Sequence, residues 1–259
     1  MMPSMPFPEP EINRVNDSAW ELYSYTLDVC ERLEADSHVL EKGPLRGVIE
    51  CTLKYGQSTA KISISLDALP ASLRVNSRSM LRFDCHVDWH ERHRLLKFEL
   101  PLDLWAQEAT YDVAFGVTRR PTHRNTSWDA AKFEVPAHKF ADYSEYGYGV
   151  ALINDCKYGY STQGNTMTLS LLRGPTEPDP EADQGKQEFS FAIYPHLGTY
   201  ESSDVQQVAH AFNNPLKGKS RLVTFANHSR RRLYRAQDRT IHPRRLAKRH
   251  ARNDQARRT

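Results

Sequence analysis

Apolar and polar residues alternate along this chain with a period of two, and that pattern limits what it can fold into more than any other feature. The alternation runs through Trp20–Leu27, Gly47–Tyr55, Ala60–Leu66, Leu81–Trp89, Tyr111–Val117, Gly149–Asn154 and Met167–Leu172. Successive side chains of a strand point to opposite faces, so each run buries one face and solvates the other. Lys42–Pro44, Tyr55–Gln57, Gln163–Asn165 and Arg173–Pro175 separate these runs, each with a glycine at its centre. No stretch keeps a helical period over three turns. The expectation is an all-β chain, an antiparallel β-sandwich-like module. A single short helix is expected at Val205–Phe212, with Ser202, Ser203 and Asp204 available as caps.

Charge divides the chain where the hydropathy pattern stops. Residues 217–259 hold 15 Lys/Arg against Asp238 and Asp254, whereas the preceding 216 residues carry 20 basic and 30 acidic side chains. Three pieces follow: a proline-rich flexible lead-in at 1–16, a β domain at 17–216 and a basic, disordered tail at 217–259. The tail could neutralise phosphates, but Phe225 and Tyr234 are nearly its only aromatics. It reads as an altered gene end rather than a nucleic-acid arm, so nucleic acid is not expected as a partner. The cysteines Cys30, Cys51, Cys85 and Cys156 have no metal-binding spacing and are too few for a disulfide framework in a chain of 259 residues. The first residues lack a basic and apolar leader, and no apolar run approaches the roughly 18 residues that span a bilayer. The expectation is a protein without a secretion signal or a membrane partner.

Several uncommon segments occur in a fixed order: Asp88–His93, Arg120–Asp129, Lys132–Asp142, Ser144–Leu152, Asn154–Tyr160, Leu169–Arg173 and Pro178–Asp183. In that order they resemble the β-rich region that follows the catalytic barrel in family 38 glycoside hydrolases, the α-mannosidases of the cytosolic or vacuolar type. The resemblance covers about residues 17–216. It implies a fragment of a retaining α-mannosidase that releases terminal α-mannose from oligosaccharides or glycans, in the cytoplasm or vacuole. Such enzymes use two carboxylates roughly 5–5.5 Å apart and, in the full-length family, zinc. The resemblance places the zinc ligands, the nucleophile and the acid/base on the barrel, outside this chain. No catalytic or metal-binding residue is therefore assigned, and the chain alone is expected to be inactive. Its expected partners are the catalytic barrel and a mannose-containing oligosaccharide. Apolar surface that would meet the barrel implies poor solubility. The competing reading is a non-catalytic module that binds carbohydrate or protein.

Three groups of residues invite a functional reading. Asp155, Lys157, Tyr158 and Tyr160 supply a carboxylate, an ammonium and two phenols beside Asn154, a mixture that binds sugar hydroxyls and pyranose faces. On the residues alone Asp155 and Lys157 read rather as a turn-stabilising pair and the tyrosines as core; the resemblance sets beside this the reading that all four lie at the interface facing the barrel. Arg124, Asn125 and Trp128 lie in a polar segment turned by Pro121 and read as a cleft or interdomain loop. His86, Asp88 and His90 share one face of a predicted strand with a spacing that suits a metal; we read them as a polar strand face.

Overall fold

The computed structural model describes residues 18–20, 22–23, 30–68 and 79–215. The lead-in at 1–16, most of the Trp20–Leu27 run and the basic segment at 217–259 lie outside the described residues. Within them the alternating runs form strands β1 (Ala35–Lys42), β2 (Arg46–Tyr55), β3 (Ser58–Asp67), β4 (Leu81–Trp89), β5 (Leu96–Pro101), β6 (Glu108–Val113) and β7 (Gly116–Pro121). These continue as β8 (Val135–Pro136), β9 (Phe140–Ser144), β10 (Tyr148–Asn154), β11 (Gly159–Gln163), β12 (Thr166–Leu172) and β13 (Gly185–Leu197). One sheet has nine strands in the order β1-β2-β3-β4-β13-β10-β9-β6-β7, and the other has four, β5-β12-β11-β8. Every pairing between these strands is antiparallel. The sandwich-like all-β fold expected from the alternation is the one observed.

The period of two explains how three layers form. On β10, Val150 and Leu152 point into the core between the sheets, while Ala151 and Ile153 point to the opposite face. That second face is covered by helix α2 (Val205–Asn213; α1 is Ser127–Ala130), through Val205, Val208 and Ala209. With both faces occupied, all of β10 beyond Tyr148 is buried. Three buried tyrosines tie the sheets together across the core. Tyr111 on β6 donates to Thr162 Oγ1 on β11 (2.9 Å), Tyr143 on β9 lies 2.9 Å from the Gly164 carbonyl, and Tyr160 on β11 accepts from Asn154 on β10. A buried tyrosine needs such a partner, because an unsatisfied hydroxyl would offset the gain from burying its ring.

Two local expectations are corrected. Tyr111–Val117 is not one strand: it folds back at Ala114–Phe115 into the β6–β7 hairpin, with Val113 opposite Gly116 and Phe115 at a φ of 65°. The apolar character continues through the turn, which hides the break. The helix begins at Val205 as expected, with Asp204 in the N-cap position, but the Asp204 side chain makes no capping hydrogen bond. Its carboxylate instead accepts from the Tyr194 hydroxyl at 2.7 Å, holding the helix against β13.

Candidate functional site

The loop after β10 is built around Asn154. Its side chain is fully buried, donates from Nδ2 to the His138 carbonyl (2.8 Å) and to the Tyr160 hydroxyl, and accepts at Oδ1 from the Lys157 amide (2.7 Å). The main chain is held as well, by the Lys139 carbonyl at 3.0 Å and by Asn213 Nδ2 of α2 at 2.9 Å. An asparagine that caps the amide three residues ahead is a turn device. Here it fixes a loop that carries Asp155, Lys157 and Tyr158.

The four candidate residues of this segment separate. Asp155 is exposed, and its Oδ2 accepts from the Ser190 amide at 3.0 Å. Lys157 lays its Nζ 4.5 Å from the centre of the Phe189 ring, a cation–π contact on the edge of the core. Tyr158 is 56% exposed and its ring lies 6.1 Å from that of His138. Tyr160 turns away: it is fully buried, its ring meets Tyr111 edge-on at 6.5 Å, and burial pushes its phenol well above the usual range. Asp155, Lys157 and Tyr158 therefore share the rim, whereas Tyr160 supports it from the core.

Arg124, Asn125 and Trp128 belong to a different part of the surface. Arg124 Nε donates to Gln163 Oε1 at 3.1 Å, at the far end of β11 from Tyr158. Asn125 donates its amide to His123 Nδ1 at 3.4 Å. Trp128 sits on α1 and is 80% exposed. The Thr126 side chain caps that turn, accepting from the Asp129 amide at 3.1 Å. The loop is thus ordered and offers an indole to solvent.

Asp155 also borders a groove of about 610 Å³ on the helix side of the large sheet, lined by Arg46, Asp84, His86, Glu188 and Ser190 among others. Asp84 binds Arg82 Nε (2.8 Å) and the Ser190 hydroxyl (2.7 Å). Partial burial works to raise its carboxyl, but the Arg82 and Ser190 hydrogen bonds outweigh this and hold it below the usual carboxylate range. In the same region His86 pairs with Glu188 at 3.3 Å and His90 with Asp88 at 2.9 Å. Among the described residues, no group of three or more His, Cys, Asp or Glu side chains could hold a metal ion.

Sequence reasoning passed over Asn154 as an organiser and missed a second buried polar pair altogether. His196 Nε2 lies 2.7 Å from Asp142 Oδ2, with side chains 4% and 0% exposed. Ser144 Oγ donates to the other Asp142 oxygen at 2.8 Å. Burial disfavours the imidazolium, but the hydrogen bond and charge of Asp142 win and raise the His196 pKa. The pair closes over Gly149, where an added Cβ would stand 2.4 Å from His196 Cε1 and 2.5 Å from Ser144 Cβ. Gly149 was readable as a small residue in a strand, but nothing local named what crosses it.

Residues 10–181 match the family described as "Glycosyl hydrolases family 38 C-terminal domain". The chain is 51% identical over 136 residues to human alpha-mannosidase 2C1, covering 52% of this chain and 13% of that protein. It is 56% identical over 132 residues to the alpha-mannosidase of Saccharomyces cerevisiae, covering 51% of this chain and 12% of the yeast protein. With alpha-mannosidase G of Dictyostelium discoideum the identity is 39% over 198 residues, 76% of this chain and 18% of the relative. This chain therefore spans between 12% and 18% of the length of these relatives. The crystal structure of an alpha-mannosidase from Enterococcus faecalis V583 shares the fold, with a TM-score of 0.59 at 14% identity over 71% of this chain and 24% of that one. The ordered segments, the sandwich and the family match agree, and the chain belongs to glycoside hydrolase family 38 through its C-terminal domain.

Proposed function

We propose that this chain is the non-catalytic β-rich part, residues 17–216, of a retaining α-mannosidase that removes terminal α-mannose from oligosaccharides or glycans. The zinc, the nucleophile and the acid/base belong to a barrel outside these residues, and the working enzyme resides in the cytoplasm or vacuole. The Asn154-anchored loop carries this reading. It holds Asp155 and Tyr158 outward, with Lys157 laid against Phe189 between them, on a backbone fixed by buried hydrogen bonds, which is how a rigid scaffold presents residues to a neighbouring site. We assign these three residues to the side that faces the barrel, with Tyr160 supporting them from beneath. Arg124, Asn125 and Trp128 form a second contact loop, separate from the first.

Two measurements test the proposal. The purified chain, given a chromogenic α-mannoside and zinc, is expected to show no turnover, and turnover would overturn the reading. In a full-length family enzyme, Tyr158→Ala is expected to change kcat or KM about tenfold, the effect of misplacing a contact beside the reacting sugar; a variant with both constants unchanged would remove Tyr158 from the site. Exposed Trp105 and Trp128, at 75% and 80%, favour a second reading, carbohydrate binding without catalysis. That reading predicts a saturable change in tryptophan fluorescence as mannose is added.

A further inference from the structure

The two sheets of the sandwich do not match in width. One apolar row crosses the larger sheet through register partners Val39 on β1, Ile49 on β2, Ile64 on β3, Phe83 on β4 and Phe191 on β13. Along this row the exposure changes in one direction. Phe191 is 1% and Phe83 7% exposed, Ile64 is half-buried, and Ile49 and Val39 reach 45% and 63%. The neighbouring rows add Cys51, Leu53 and Ile62, half-buried, and Leu66 at 48% exposure, all on the same face by the period of two.

The cover ends at β5. Phe98 on β5 packs on Phe83 and Phe191, with ring centres 5.3 Å and 4.8 Å away. Toward the other end of the smaller sheet, Tyr160 on β11 meets Tyr111 on β6. The smaller sheet thus runs above the larger from β6 to β4, and β5 is its last strand, hydrogen-bonded to β12 along one edge. Among the described residues the other edge of β5 pairs with no strand. Past it, the apolar face of β1–β3 continues the core face without a described strand above it.

We propose that the β1–β3 face and the edge of β5 that pairs with no described strand together form a docking surface for further β-structure of a longer α-mannosidase chain. The docked segment is an extended strand with alternate apolar residues. It adds to β5 through main-chain hydrogen bonds and lays its apolar side on Ile49, Ile62 and Ile64, so that the smaller sheet widens to match the larger. Two observations select this occupant. The exposed face is continuous with the packed core, whose other half is a β-sheet. The chain also spans only 12–18% of the length of its relatives, so the family has ample further polypeptide to supply the missing cover. The inference rests on the family reading above and names the surface through which it operates.

Cysteine labelling tests it. Cys51 lies on this face, and Val39→Cys places a second thiol at its margin. Labelling with iodoacetamide is followed by peptide mass spectrometry in two settings: the chain alone, and residues 18–215 exchanged into alpha-mannosidase G of Dictyostelium. Both thiols are expected to react at least about tenfold more slowly in the exchanged enzyme, because a docked strand removes them from solvent. Equal rates in an active exchanged enzyme would overturn the docking surface and leave the family reading standing. A dimer of the isolated chain that shields Cys51 would also overturn it, by assigning the face to a second copy. An exchanged enzyme that protects both thiols yet hydrolyses no α-mannoside would support docking and count against the proposed function. Should the exchange not fold, cysteines placed in the Dictyostelium enzyme itself, at the family-aligned positions of Val39 and Ile49, give the same reading: protected thiols support the proposal and freely labelled ones overturn it.

Discussion

At Asn154 a single amide determines whether the candidate loop exists. Replacing it with leucine keeps the volume but strands the Lys157 amide, the His138 carbonyl and the Tyr160 hydroxyl, all of which it serves. Each buried polar group left without a partner costs about 1–3 kcal/mol. We expect Asn154→Leu to lower the unfolding free energy by at least about 2 kcal/mol in urea, whereas Asp155→Ala, at an exposed rim position, should stay within about 1 kcal/mol. The other decisive residue is His196. Its folded-state pKa is raised by Asp142, so the charged pair contributes fully below the unfolded value of about 6.5 and is lost as pH rises through the folded value. Stability should therefore fall as the pH is raised from below about 6.5 through the folded value, by on the order of 1 kcal/mol for each tenfold gain in proton affinity on folding. The double variant Asp142→Asn, His196→Gln carries no titrating pair and should flatten that slope in pH-resolved denaturation. An unchanged slope would assign it to other groups.

Among the elements, β10 and β13 show why position in the sheet outweighs composition. Gly149 stands opposite Ser144 and His196, and a methyl group there meets both side chains well inside contact distance. Gly149→Ala should cost about 1–3 kcal/mol through overpacking and a displaced ion pair, even though alanine ordinarily suits a strand at least as well as glycine. The row from Phe191 to Ile49 gives a graded test. Phe191→Ala is expected to cost about 3–5 kcal/mol and Ile49→Ala about 1 kcal/mol or less, since the latter is already half in water. Equal costs would mean that the β1–β3 face is covered in the isolated chain. Much of this was legible in the sequence. The period of two identified β2, β3, β4, β10 and β12, and the central glycines marked their turns. The β6–β7 hairpin was hidden because its turn residues Ala114 and Phe115 are not turn formers. Tyr158 and Tyr160 looked alike because period two would place them on one face, yet β11 begins only at Gly159. Tyr158 thus escapes the rule that sends Tyr160 into the core. The Asp142–His196 pair joins residues on β9 and β13 across β10, and no local pattern reports a contact between strands so distant in sequence.

For the molecule as a whole, the unequal sheets turn a question about solubility into one about architecture. A sheet face that is buried at β13 and open at β1 is a coherent half of a larger core, and a chain presenting it in water should aggregate non-specifically, without forming a defined dimer. If that face is a docking surface, its outermost residues contribute little to the isolated fold and much to association. Val39→Lys, Ile49→Lys and Leu66→Lys together should raise the solubility limit of the chain severalfold while changing its stability by no more than about 1 kcal/mol, because each side chain is already 45% exposed or more. Lysine at Phe83, on the same row but 7% exposed, should instead unfold the chain, since it buries a charge without a partner. The same triple substitution placed in a full-length family enzyme should reverse the outcome and lower its thermal stability, because there the lysines would lie beneath a docked strand. Solubility by light scattering and melting by calorimetry, compared between the two settings, separate a surface that merely attracts from one built to be covered. An enzyme that tolerates all three lysines would show that its remaining chain leaves this face in water.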